Sequence, residues 1–183
     1  MVTSIPHLRF RLDELEGRMP ERLPWRLIRG ELFMMSPAGS EHGRICQNIA
    51  VLLGIYLRQS KVGQAFGAET GYVLTRDPDT VLAPDASFIT ADRTHLVTER
   101  FFDGASGLAV EVISPSQSTP NATEKAEPWL ELGARVVWLV WPKTKAVTVH
   151  LPDAEPRDYG LGETIGGIDF MPGFSCPVTE VFE

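Results

Sequence analysis

Hydrophobic positions change period several times along this chain, and each change marks an element. His42, Ile45, Cys46, Ile49, Leu52, Leu53 and Tyr56 recur at helical spacing, which predicts a helix of about five turns ending near Ser60. Upstream, residues 12–18 suggest a short helix. Apolar runs at 25–28 and 32–35 flank Arg29, Gly30 and Glu31, the pattern of a β-hairpin around a glycine turn. A second hairpin is expected where strands at 72–74, 81–82 and 86–89 bracket Asp77-Pro78-Asp79-Thr80, a strong turn sequence. Residues 107–114 form an apolar run broken by a single carboxylate, as in a strand buried on both faces. A helix at 121–132 ends at Gly133, a fitting C′ residue. Strands follow at 135–141 and 146–150, and the turn-rich tail, 151–183, should add an edge strand and a capping turn. This order predicts an α/β sandwich: a mixed sheet with the long helices packed on it. The regular βαβ alternation of a doubly wound nucleotide binder is missing.

Composition narrows the picture. The chain has 183 residues, 43% hydrophobic and 22% charged, enough for one globular domain spanning 1–183. No apolar run approaches the ~20 residues that cross a bilayer, and the first ten residues lack a basic-then-apolar leader, so no membrane partner is expected. Cys46 and Cys176 lie far apart without CxxC spacing, which argues against a zinc ribbon or a disulfide scaffold and fits a reducing cytoplasm. Each reads as a small buried apolar residue. The net charge of −7 is uneven, because residues 1–60 carry eight basic and six acidic side chains and the acidic excess lies beyond them. Tight nonspecific binding to nucleic acid is disfavoured by that balance, although a local basic patch or a bound cation would change it.

No P-loop, GxGxxG, GxSxG or HExxH is present. Carboxylates inside apolar strands stand out instead: Asp85 opens Ala86-Ser87-Phe88-Ile89, and Glu111 interrupts Leu108-Ala109-Val110 and Val112-Ile113. An ionised carboxylate there is costly unless a cation or donor meets it. Two on neighbouring strands suggest a shared hard-cation site. Equally, Glu111 could pair with a buried arginine while Asp85 caps a turn. Lys125 enters by geometry. Three residues of strand carry the chain roughly 10 Å beyond Glu111, residues 115–119 turn it, and Asn121 with Glu124 resembles a capping box. A returning helix then brings Lys125 back roughly 6–9 Å, level with Glu111. A lysine beside two carboxylates could orient water or neutralise a developing oxyanion, and it could as well be a solvated helix-face residue.

Pro84-Asp85, Glu111-Val112-Ile113-Ser114-Pro115-Ser116 and Glu124-Lys125 together resemble the PD-(D/E)XK nuclease superfamily. Within it the chain is similar to the Uma-two restriction-endonuclease family, from about Trp25 to His150. The resemblance includes the Arg29-Gly30-Glu31-Leu32 hairpin, the Ser36-Pro37 break, His42 at the head of the long helix, and Gly133 before the strand holding Trp138. It implies a restriction-endonuclease-like core, a central mixed β-sheet flanked by α-helices. It also implies Mg²⁺ or Mn²⁺ held by Asp85, Glu111 and the backbone carbonyl of Val112, with Lys125 as the catalytic lysine. In the superfamily that lysine usually stands two residues after the second acid, where this chain has Ile113.

The expected function is therefore metal-dependent endonucleolytic hydrolysis of DNA. The alternative is a non-catalytic homodimeric binding or regulatory module on the same fold, favoured by the acidic balance and by Pro128, which would kink or fray the helix carrying Lys125. Apolar strands near the C-terminus, and habit in the superfamily, suggest a homodimer. Glu31 and Glu69 are further candidates for the acidic cluster. His42 shares an apolar helix face and reads as a core histidine or an additional site residue. Trp138 and Trp141 read as core rather than as a platform for bases.

Overall fold

Leucine, isoleucine and valine on alternate positions build a central sheet whose two faces are covered differently. The structure, a computed structural model, describes residues 3–4, 9–15, 18, 25–114 and 119–183. The central sheet has six strands in the order β12-β11-β10-β9-β7-β4, formed by β4 (Gly63–Gly67), β7 (Ala86–Thr90), β9 (Leu108–Val112), β10 (Val136–Trp141), β11 (Ala146–His150) and β12 (Arg157–Tyr159). β9 and β10 are parallel and the other pairs antiparallel, so the sheet is mixed. The parallel pair is linked by α3 (Thr119–Glu131), the only connection in this sheet that needs a crossover helix.

Successive residues of β9 face opposite ways. Leu108, Val110 and Val112 pack with Ile45, Ile49 and Leu53 of α2 (Ser40–Gln59), while Ala109 and Ile113 pack with Ala126 and Trp129 of α3. Glu111 therefore faces α3. The C-terminal helix α4 (Val178–Phe182) and the hairpin β13 (Thr164–Gly166) with β14 (Ser175–Pro177) complete the α2 side.

A second six-stranded sheet, in the order β1-β3-β2-β6-β5-β8, covers the α3 side. It comprises β1 (Thr3–Ser4), the hairpin β2 (Trp25–Ile28) and β3 (Glu31–Met34), the hairpin β5 (Tyr72–Thr75) and β6 (Thr80–Leu82), and β8 (Phe102–Asp103). Sequence reading expects a single mixed sheet; the hairpins instead pair with one another. Leu27 opposite Val81 joins them, and α1 (Leu12–Leu15) closes their outer face through Leu12 and Leu15. Arg29 and Gly30 both have positive φ, 48° and 80°, the two-residue turn whose twist matches a hairpin.

Several expectations shift in detail. β1, β4, β8 and a 3-10 helix at Ala91–Leu96 are additions, and the tail supplies a hairpin beyond the expected edge strand β12. α3 starts at Thr119, so Asn121 lies inside it rather than capping it. The helix also runs through Pro128 without a break, and Gly133 follows with φ 107°. Glu16 and Gly17 of the expected first helix, and residues 115–118 of the expected turn, lie outside the described residues. β10 and β11 are interior strands of the sheet: Val136 to Val140 are buried and β12 covers the edge of β11. No helix among the described residues is long and apolar enough to cross a membrane.

Candidate active site

β7 stops one residue short of pairing fully with β9, and Asp85 occupies the vacated place. Pro84 cannot donate to a ladder. The backbone N–H of Asp85 still donates to the carbonyl of Val110 at 2.8 Å. At the next position the ladder is continued by a side chain, because Val112 N–H donates to Asp85 Oδ2 at 2.7 Å. Asp85 thus lies beside Val112 at the end of the central strand. Oδ1 makes no hydrogen bond with any described residue.

The α2 face supplies a partner for the same oxygen. His42, in the first turn of α2, brings Nε2 to 3.3 Å from Asp85 Oδ2, and both side chains are 20% exposed. Nδ1 of the ring lies 3.3 Å from Cys46 Sγ, one turn further along. A helix N-terminus normally disfavours a cation. Here the hydrogen bond to Asp85, reinforced by Cys46, holds the imidazole pKa at about 10 against the opposing effect of burial. His42 is therefore not a core histidine but the partner of Asp85.

The α3 face holds Glu111. Lys125 Nζ donates to Glu111 Oε2 at 3.1 Å, with both side chains 14% exposed, and Trp129 Nε1 donates to Oε1 at 3.1 Å. Lys125 and Trp129 stand four residues apart, on one face of α3. The Trp129 ring is itself fixed edge-on by Tyr72 at 5.6 Å, and the Tyr72 hydroxyl is 2.7 Å from Ser87 Oγ on β7. Burial pushes the Glu111 pKa up, Lys125 pulls it down, and the Asp85 charge pushes it up again. The two carboxylates therefore feel each other across the end of β9.

Sequence reasoning did not single out Arg26. It lies on β2, with its guanidinium 5.4 Å from the Phe33 ring on the neighbouring strand, and its Nε is buried without a hydrogen-bond partner among the described residues. Burial lowers its pKa, while the charge of Glu111 raises it. The arginine that could have neutralised Glu111 is thus present nearby, but the ion pair is made by Lys125. The signal was weak, since an arginine in a short hairpin strand looks like any solvent-facing residue.

Glu31 and Glu69 are not brought to this group. Glu31 is exposed at the start of β3, and Glu69 is exposed with φ 69° in the connection from β4 to β5. Trp138 is fully buried against Phe174, and Trp141 donates to Thr148 Oγ1, so both are packing residues. Cys176 is buried in the core, whereas Cys46 belongs to the Asp85 cluster.

Oxygen donors at the end of one strand suit a small hard cation. Asp85 offers Oδ1, and each Glu111 oxygen accepts one hydrogen bond and so retains acceptor capacity. The donor set fits Mg²⁺ or Mn²⁺.

No curated protein matches the chain. Among solved structures, it is similar to a crystal structure of a "putative nuclease belonging to DUF820" from Anabaena variabilis, at 20% identity and a TM-score of 0.79, covering 94% of this chain and 97% of that one. At that identity the likeness speaks for the fold alone. Residues 11–179 match the Uma2 family, described as "Putative restriction endonuclease", and the chain belongs to that family.

Proposed function

We propose that this chain is a divalent-metal-dependent endonuclease that hydrolyses phosphodiester bonds in DNA. The observation that supports this most is Lys125 Nζ 3.1 Å from Glu111 Oε2, with the charge of Asp85 acting on the same Glu111 carboxyl. Membership of a family whose description reads "Putative restriction endonuclease" supports the substrate class.

In this reading Asp85, Glu111 and the Val112 carbonyl hold Mg²⁺ or Mn²⁺. The bound cation supplies Lewis acidity toward a phosphoryl oxygen and a lowered pKa for bound water. The protein residues do the rest. Trp129 and Lys125 fix both oxygens of Glu111, so the carboxylate needs no reorganisation when substrate arrives. Lys125 donates from Nζ toward the charge that develops on the phosphate. Asp85 is oriented by Val112 N–H and held by His42 at the same oxygen, Oδ2. Arg26 adds a second, poorly solvated positive charge on the same side of the sheet.

The non-catalytic alternative rests on the acidic balance, a net charge of −7, and on Pro128. Because α3 continues through Pro128 and keeps Lys125 against Glu111, the support from Pro128 is gone. Incubating DNA with Mn²⁺ or Mg²⁺ tests the proposal directly. Cutting is expected from the wild type, none in EDTA, and a loss of about 100-fold or more in Asp85→Ala and Lys125→Ala. Equal cutting by the variants would overturn this site. No cutting by the wild type would overturn the enzymatic reading in favour of the binding module.

A further inference from the structure

The proposed nuclease chemistry leaves the Cys46 thiol unused, yet that thiol is built into the site. Cys46 and His42 stand four residues apart on α2, the spacing that places two side chains on one face. Sγ is 3.3 Å from His42 Nδ1, and His42 Nε2 is 3.3 Å from Asp85 Oδ2. One ligand atom from each of the three residues lies within 4.8 Å of the others, and all three are half-buried. Ligands on a tetrahedral zinc, at roughly 2.0–2.3 Å from the ion, stand about 3.3–3.8 Å from one another. The two 3.3 Å contacts fall on opposite nitrogens of the His42 ring, so the cluster is more open than that as it stands. Turning the imidazole so that one nitrogen faces the centre would close it.

The donor types matter more than the size. Mg²⁺ takes oxygen ligands and avoids thiolate. A thiolate, an imidazole and a carboxylate together are the donor set of a borderline or thiophilic cation, and three protein ligands leave a fourth position for water. We propose that His42, Cys46 and Asp85 form a binding site for a thiophilic divalent cation of the Zn²⁺ class. It shares Asp85 with the oxygen-donor site of Asp85 and Glu111. Two divalent charges held on the one Asp85 carboxylate repel each other at close range, so Zn²⁺ and Mg²⁺ or Mn²⁺ compete for the site, and Zn²⁺ acts as an inhibitor. The exclusion rests on the nuclease reading of Asp85; the thiophilic site itself does not.

Co²⁺ titration of the intact protein tests the site without any substrate. One equivalent of Co²⁺ should produce the sulfur-to-metal charge-transfer band and the intense visible bands of a four-coordinate ion, and one equivalent of Zn²⁺ should bleach them. Cys46→Ser, a near-isosteric change, should lose the charge-transfer band and weaken Zn²⁺ binding by about 10- to 100-fold or more. Cys176→Ser should keep both. No charge-transfer band in the wild type, or a band that persists in Cys46→Ser, would overturn the site. Mn²⁺ binding followed by electron paramagnetic resonance then tests exclusion: Zn²⁺ should displace Mn²⁺, and simultaneous binding of both would overturn that part. A protein that cuts no DNA leaves the Co²⁺ result intact, so the two failures are separable.

Discussion

Lys125 reaches Glu111 at 3.1 Å although Pro128 stands three residues further along the same helix. A proline removes one helical hydrogen bond and crowds the carbonyl four residues back. The helix therefore retains its course through burial of Ala126 and Trp129 against the central sheet. Pro128→Ala should raise stability by roughly 1–3 kcal/mol and leave the Lys125–Glu111 contact in place. Urea unfolding measures it, and a lower midpoint in the variant would show that the proline is needed to aim Lys125.

Removing Lys125 has a different consequence. Glu111 would keep only Trp129 as a donor, in a setting where burial already pushes its pKa above the ordinary value. A folded-state carboxyl pKa that is raised contributes stability below the unfolded value, lost as pH rises through the folded one. Lys125→Ala should therefore be destabilised at neutral pH, by about 3–5 kcal/mol if Glu111 stays charged, and should recover as pH falls toward 4. Glu111→Gln should fold normally, because clustered negative charge is relieved. Thermal melts across pH 4–8 check both, and unfolding of Glu111→Gln would mark the pair as structural.

His42 titrates with the opposite sense of charge. Its pKa is raised to about 10, first by the hydrogen bond to Asp85. In metal-free protein this contact contributes its full stability below pH 6.5, the ordinary value, and loses it as pH rises through about 10. The stability difference between wild type and His42→Ala should be largest at pH 6 and shrink steadily toward pH 10. A difference constant over that range would mean that His42 contributes packing alone.

Much of the site is legible in the sequence for one reason: charge inside an apolar run is conspicuous. Glu111 interrupts five apolar neighbours, and counting rise along strand and helix brings Lys125 level with it. Asp85 is visible behind Pro84. What escapes is whatever depends on how separate layers meet. Arg26 looks solvent-facing until a second sheet lays β2 over the α3 side. His42 and Cys46 share a face with Ile45 and Ile49, and only the end of β7 shows that this face finishes on Asp85 rather than on the core. Glu31 and Glu69 err the other way, because acidic residues near turns are conspicuous in sequence but remain exposed when no strand end points at them.

Arg26 separates function from stability. Among the described residues its buried Nε has no hydrogen-bond partner and its guanidinium makes no ion pair with a carboxylate, and burial lowers its pKa. A buried, imperfectly paired charge is often replaced by an apolar side chain at no loss, or with a gain of about 1–4 kcal/mol. Arg26→Met should match or exceed wild-type stability while DNA affinity falls about tenfold or more, and Arg26→Lys should not restore it, because an ammonium lacks the planar fork. Destabilisation of Arg26→Met with unchanged DNA affinity would make the arginine a counter-charge to Glu111 and nothing more.

The two cysteines should react on different clocks. Cys176 is 1% exposed within the core beside Trp138 and Phe174, and burial pushes its thiol up to about 12. Its thiolate is scarce and its sulfur out of reach, so alkylation must wait for opening of the β13–β14 hairpin or of the whole core. Cys46 is half-buried at the edge of the site, with its sulfur against the His42 ring. Iodoacetamide should therefore modify the native protein once, at Cys46, and label Cys176 only at the rate of unfolding. Mass spectrometry of timed digests reads the two sites separately. Saturating Zn²⁺ should slow the Cys46 reaction and leave the Cys176 rate to follow stability alone. Equal labelling of both residues under native conditions would show that the C-terminal hairpin opens far more readily than its packing against α2 and β10 implies.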